Sequence, residues 1–241
     1  MQLTCNEWLE LAGLTQHEIP DLLILEGTWW HKKAVEQRLA YLTNVRETKL
    51  PDMYTGTYQN RRIMFCCAYG APRAIEPVHI CGIMGTPIVV QIGSCGALQK
   101  HIKTGDIVIP DLAHIGEGAS EYYGQHRQSI PDLALTGKAR TEIMNKGITT
   151  HTGSHLTTSA LFQQDLETIK RWNKEGYLAV DMETSAVFSV AQYFKMRAAS
   201  MLFVWDELLR GRTWLDTFNE EETALQATAN QATFEAALKL N

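Results

Sequence analysis

The chain is poor in cysteine and has no long apolar run, and each shortage excludes something. Its five cysteines among 241 residues are odd in number and scattered. Cys66 and Cys67 sit together inside the apolar run RIMFCCA, so they read as reduced, buried thiols and not as a disulfide frame. No apolar stretch approaches the ~20 residues of a membrane span, and MQLTCNEWLE has neither a basic n-region nor an apolar core. A soluble, cytoplasmic protein with no membrane partner is therefore expected. The formal charge of −5 is spread without single-sign runs, which leaves no footprint for nucleic acid and points to a small-molecule partner. The C-x-x-C, P-loop and G-x-G-x-x-G patterns are all missing, so zinc ribbons, P-loops and dinucleotide folds lack support. With no repeat, low-complexity tract or linker, residues 1–241 are expected to form one α/β domain.

Patterning supplies the elements. Thr4 with Glu7 forms a capping box for a helix over Cys5–Leu11, and Asp21 introduces the strand LLIL. A helix is expected from Trp29 to Leu42, after the turn at Glu26 and Gly27. Two strands, Tyr54–Tyr58 and Arg61–Ala68, are joined by Gln59-Asn60. Helices are expected over Ala74–Met84, Leu133–Lys146 and Gln164–Lys174, and strands over Asp106–Pro110 and Ile148–Thr158. A last helix takes Thr217 with Glu220 as its capping box and turns Leu225, Ala229 and Ala232 toward the core.

Three segments carry chemistry. In Ile88–Asp111 an apolar β-branched run is stopped by Gly93, Ser94, Cys95 and Gly96, residues that let backbone N–H groups and a hydroxyl face a ligand. In Leu178–Ala191, Asp181 and Glu183 bracket Met182 at the start of an amphipathic helix. Met201–Asp206, MLFVWD, is an apolar strand closing on an acid. In an open α/β sheet, ligands bind beyond the carboxyl ends of strands, which would bring Ser94, Glu183 and Asp206 to one crevice.

Together the motifs I-G-S-C-G-A-L, G-D-I-V-I and D-M-E-T-S-A-V-F resemble those of the nucleoside phosphorylase superfamily, which includes purine nucleoside and uridine phosphorylases and related nucleosidases. The similarity runs from about Leu22 to Leu209. It implies a three-layer α/β/α sandwich with a mixed, partly closed central sheet, a homo-oligomer (dimer or hexamer), and no cofactor beyond phosphate as a co-substrate. Cleaving a nucleoside's glycosidic bond leaves positive charge on the sugar and negative charge on the departing base. By the resemblance Glu183 holds the ribose hydroxyls with Met182 packed beneath, and Asp206 protonates a purine at N7. Phe162 stacks on the base, and Glu117–Tyr123 lies near the mouth. Asp181, Ser94, Cys95 and Gly96 complete the substrate site. No clean counterpart of the glutamine–arginine pair that holds uracil stands near Gln163 and Gln164, which favours a purine.

The phosphate site departs from the pattern. Gly27 and Ser94 match, but where phosphorylases carry three arginines this chain has His31, Lys49 and Gln91. Arginine forks suit phosphate best, so this site would be weaker unless Lys32, Lys33, Arg46 or Arg73 compensates. The expected reaction is transfer of ribosyl from a purine-type nucleoside to phosphate, as in purine salvage. Hydrolysis by water is the alternative, and a non-catalytic nucleoside-binding or storage protein is the rival from another class. His151 and His155 share a strand face without a third ligand and read as hydrogen-bonded surface histidines, so no metal is expected.

Overall fold

The computed structural model describes residues 3–241; Met1 and Gln2, the first residues of the segment MQLTCNEWLE, lie outside the described residues. In chain order the elements are α1 (Cys5–Ala12), β1 (Leu22–Gly27), α2 (His31–Leu39), β2 (Thr43–Glu47), β3 (Met53–Tyr58), β4 (Arg61–Ala68), α3 (Ala71–Met84) and β5 (Ile88–Ala97). There follow β6 (Ile107–Gly116), β7 (Gln128–Ser129), α4 (Leu133–Met144), β8 (Thr150–Thr158), α5 (Leu166–Lys174), β9 (Ala179–Asp181), α6 (Thr184–Phe194), β10 (Arg197–Glu207) and α7 (Glu220–Ala237).

Alternation along β1 builds the layers. Leu22 and Ile24 pack toward Ala34 of α2, Leu135 of α4 and Phe234 of α7. Leu23 and Leu25 pack on the opposite face with Leu9 of α1, Val78 of α3 and Val187 of α6. A strand buried on both faces reads as a near-continuous apolar run, as Leu22–Leu25 do, and each such side chain contributes about 1.5–3 kcal/mol. β5 pairs parallel with β1 on one side and β10 on the other, and its last residues Gly96 and Ala97 pair antiparallel with β9. β10 continues through β6 and β8 to β9, so five strands close on themselves while β1, β4, β3 and β2 extend as an open wing. This is the mixed, partly closed sheet expected.

Several sequence readings need correction. Gly93 to Gly96 do not end the strand at a turn, because β5 keeps its partners to Ala97. The first βα helix spans only His31–Leu39. Exposed β2, and the short strands β7 and β9, went unread because none has an apolar alternation. α7 is capped by Asn219 with Glu222, two residues beyond the Thr217 and Glu220 box; Ala229 and Ala232 are buried as expected, but Leu225 is exposed. Among the described residues no helix is long and apolar enough to cross a membrane.

Candidate active site

The D-M-E segment bridges a strand and a helix. Asp181 ends β9, and Glu183 is the residue before α6, which starts at Thr184 and not at the acids. Glu183 is 4% exposed, and its Oε1 accepts the Gly70 N–H at 2.6 Å. Gly70 has φ +82°, left-handed backbone that glycine adopts without strain. Gly27 makes room from the other side: a Cβ there would stand 2.6 Å from Glu183 Oε2. Burial, reinforced by the neighbouring Asp181, pushes Glu183 up to about 8.

Asp181 is held in the opposite state. Its carboxylate accepts the Thr184 N–H and hydroxyl at 3.0 and 2.5 Å, the Thr157 hydroxyl at 2.8 Å and Gln91 Nε2 at 3.2 Å. His155, wholly buried, stands with Nε2 3.0 Å from Asp181 Oδ1. Burial alone would raise Asp181, but the His155 ring and the threonine hydroxyls outweigh it and hold the group below the usual carboxylate range. The sequence reading of His155 as a surface histidine is therefore wrong; His151 is the partly exposed one, 2.8 Å from Asp106.

Asp206 owes its position to a bulge. The β10–β5 register runs Val204 to Cys95, then Asp206 to Gly96, leaving Trp205 unpaired. Consecutive strand residues point to opposite faces, and the extra residue lets Trp205 and Asp206 line the same crevice. Gly96 is again a matter of space, since a Cβ would come within 3.0 Å of Asp206 Oδ1 and 2.7 Å of Leu208. Burial pushes Asp206 up to about 7, against a backbone hydrogen bond from Trp214 that favours the charge.

These groups open on a cavity of about 100 Å³. Its lining includes the expected Gly27, Ser94, Cys95, Gly96, Asp181, Met182, Glu183 and Asp206, with Gln164 in addition. Cys95 is buried with its thiol pushed well above the ordinary range by desolvation, so it lines without reacting. Phe162 is 75% exposed and stands at the rim, its ring 6.3 Å from Trp29 and 6.2 Å from Trp214. His31 and Lys49 do not line the cavity, and Gln91 is turned away from it into the buried network with Asp181, Thr184 and Ser200. Glu117 likewise faces inward, accepting from Ser120 and Ser185. No lysine, arginine or histidine is among the lining residues. Sequence reasoning missed Trp29, Trp30, Tyr69 and Trp214; the Trp29-Trp30 doublet directly after Gly27 was the signal available. Among the described residues, no three His, Cys, Asp or Glu side chains stand where they would hold a metal ion.

A family model described as the phosphorylase superfamily matches residues 27–239. The chain belongs to that superfamily. The resemblance read from the three motifs is thereby borne out. A relative in the phosphorylase superfamily, the DeoD-type purine nucleoside phosphorylase of Alkaliphilus metalliredigens, is 28% identical over 206 residues, 83% of this chain and 88% of that one. The DeoD-type enzyme of Bacillus thuringiensis is 27% identical over 227 residues, 90% and 97% of the two chains. Among solved structures, uridine phosphorylase from Vibrio fischeri complexed with 6-hydroxy-1-naphthoic acid matches 93% of this chain and 92% of its own, with a TM-score of 0.80. At 23% identity that likeness speaks for the fold.

Proposed function

We propose that this phosphorylase-superfamily chain cleaves the N-glycosidic bond of a purine-type nucleoside and transfers the ribosyl group to phosphate. The observation that carries the proposal is the placing of Glu183 and Asp206 on one cavity with Gly27 and Ser94, each acid brought close to neutrality by burial. An acid near 7 is suited to give up a proton at neutral pH, and one near 8 gains its charge as sugar hydroxyls offer hydrogen bonds. In the reaction a phosphate oxygen forms a bond to the anomeric carbon and the carbon–nitrogen bond breaks. Its electron pair leaves with the base, and Asp206 supplies the proton that neutralises it. Glu183 accepts from the ribose hydroxyls, Met182 packs beneath the ring, Phe162 reaches over the base, and the fixed charge of Asp181 favours the cationic sugar. The purine preference rests on Asp206 as proton donor, on relatives named purine nucleoside phosphorylase, and on the lack of any arginine beside Gln164 in the lining.

A homo-oligomer of one-domain copies belongs to this reading. One observation favours a second reading, in which water replaces phosphate: the lining offers no cation to an anionic nucleophile. The test of the glycosidic chemistry is Asp206→Asn. Turnover should fall by about 10²–10⁴-fold while nucleoside binding survives, and unchanged turnover would remove Asp206 from the role of acid.

A further inference from the structure

The buried polar groups beneath the D-M-E turn include one ring to which the reaction assigns no role. His155 lies in β8, wholly buried, and its Nε2 faces Asp181 Oδ1 at 3.0 Å. Side chains alternate along a strand, so His155 and Thr157 face Asp181 together, while Leu156 between them turns the other way into a cluster with Val180 and Leu208. The second ring nitrogen, Nδ1, is buried and meets no hydrogen-bond partner among the described residues. A polar atom left unpaired in a core costs free energy that an apolar side chain of similar size avoids. Packing alone therefore does not account for an imidazole here, whereas its contact with Asp181 does.

Among the described residues His155 is the one basic side chain within ion-pair distance of Asp181. The remaining partners of that carboxylate, two threonine hydroxyls, a backbone N–H and the Gln91 amide, are all neutral. The other titratable groups nearby add no positive charge. Cys95 of β5 has its thiol kept protonated by burial, and Glu117, just after β6, is turned to Ser120 and Ser185. Glu183, ahead of α6, and Asp206, on β10, are acids on the cavity. Burial pushes the Asp181 carboxyl toward its protonated form, and the His155 ring is the largest influence opposing it. The effect passes on to Glu183, which burial first and the Asp181 charge second raise to about 8.

Resting on the assignment of Glu183 to the ribose, we propose that His155 is a positioning residue of the reaction: from β8 it holds Asp181 as a carboxylate, and through that charge it governs when Glu183 accepts the ribose hydroxyls. Without the ring, Asp181 keeps a proton at neutral pH. Glu183, relieved of a like charge beside it, then ionises at lower pH. The sugar in turn loses the fixed negative charge that favours its cationic form.

The experiment is purine nucleoside affinity by tryptophan fluorescence across pH 5 to 10 in the Asp206→Asn protein, in which Glu183 is the acid left to titrate on the cavity, alongside base release by the wild type. With no second change, affinity should rise with pH through a midpoint at about 8. Adding His155→Leu should lower that midpoint by about one pH unit or more, Asp181→Asn should lower it as far, and the two together no further. His155→Gln, which keeps an N–H donor on a side chain of similar reach, should hold the midpoint where it was. If His155→Leu fails to fold by circular dichroism, the shorter, polar His155→Asn carries the same expectation. A midpoint that stays at about 8, or rises, in the folded His155 variant would overturn the role of His155 and leave the glycosidic reading standing. Affinity that ignores pH, or no base release by the wild type, would overturn both.

Discussion

Moving the pH away from about 7.5 should switch the reaction off in both directions. The free enzyme must have Glu183 ionised to hold the ribose hydroxyls and Asp206 protonated to serve the base, yet Glu183 lies at about 8 and Asp206 at about 7. At pH 7.5 roughly a quarter of molecules satisfy each condition, so about 6% satisfy both, and that is the maximum. At pH 5.5 and 9.5 the fraction falls about twentyfold, giving a bell in kcat/KM with limbs near 7 and 8. The assay is kcat/KM for base release at saturating phosphate across pH 5 to 10. Asp206→Asn sharpens it: the residual activity should lose its alkaline limb, and the acid midpoint should move from about 7 to about 8, the value of Glu183 alone. A flat profile from 5.5 to 9.5, or an Asp206→Asn profile identical in shape to the wild type, would refute the assignment of the two acids.

Stability should show the same burial with a definite sign. Asp206 is raised in the folded state from 3.8 to about 7, so the folded protein keeps a proton that the unfolded chain loses, and this stabilisation disappears as pH rises through 7. The stability of Asp206→Asn relative to wild type should therefore grow by about 4 kcal/mol between pH 4 and pH 9 in denaturant titrations, and a constant difference would contradict it. Gly27→Ala would place a Cβ 2.6 Å from Glu183 Oε2; turnover should fall about a hundredfold with the fold intact by circular dichroism, and wild-type kinetics would contradict the close approach. Arg38→Met leaves Glu26 buried and unpaired and should cost about 3–5 kcal/mol in the same titrations, whereas a change under 1 kcal/mol would mean that the pair is solvated.

The parts of this molecule legible in its sequence are those fixed by short-range pattern. The apolar runs of β1 and β5 gave the parallel centre of the sheet, and Thr4 with Glu7 gave the first helix start. The D-M-E-T and strand-end Asp206 motifs were expected to meet at one crevice, and Asp181, Glu183 and Asp206 do line one cavity. What the pattern did not carry was set by distant partners. The glycines of I-G-S-C-G look like a turn, but β1, β10 and β9 hold them in a strand, and Gly96 is there to admit Asp206. The bulge at Trp205 leaves no local mark, since it is a mismatch between two strands more than a hundred residues apart in sequence. His155 read as a surface residue because its partner, Asp181, lies on another strand. Gln91 was counted into the anion site by position along the chain, while the alternation of β5 turns it into the buried network instead.

The measurement that bears most directly on the central claim is the product formed from a panel of purine and pyrimidine nucleosides, with and without phosphate. Chromatography separates free ribose from ribose 1-phosphate. The account predicts base release from purine nucleosides that requires phosphate and yields ribose 1-phosphate. Free ribose formed without phosphate would make water the nucleophile, and no release from any nucleoside would contradict the glycosidic chemistry assigned to Glu183 and Asp206.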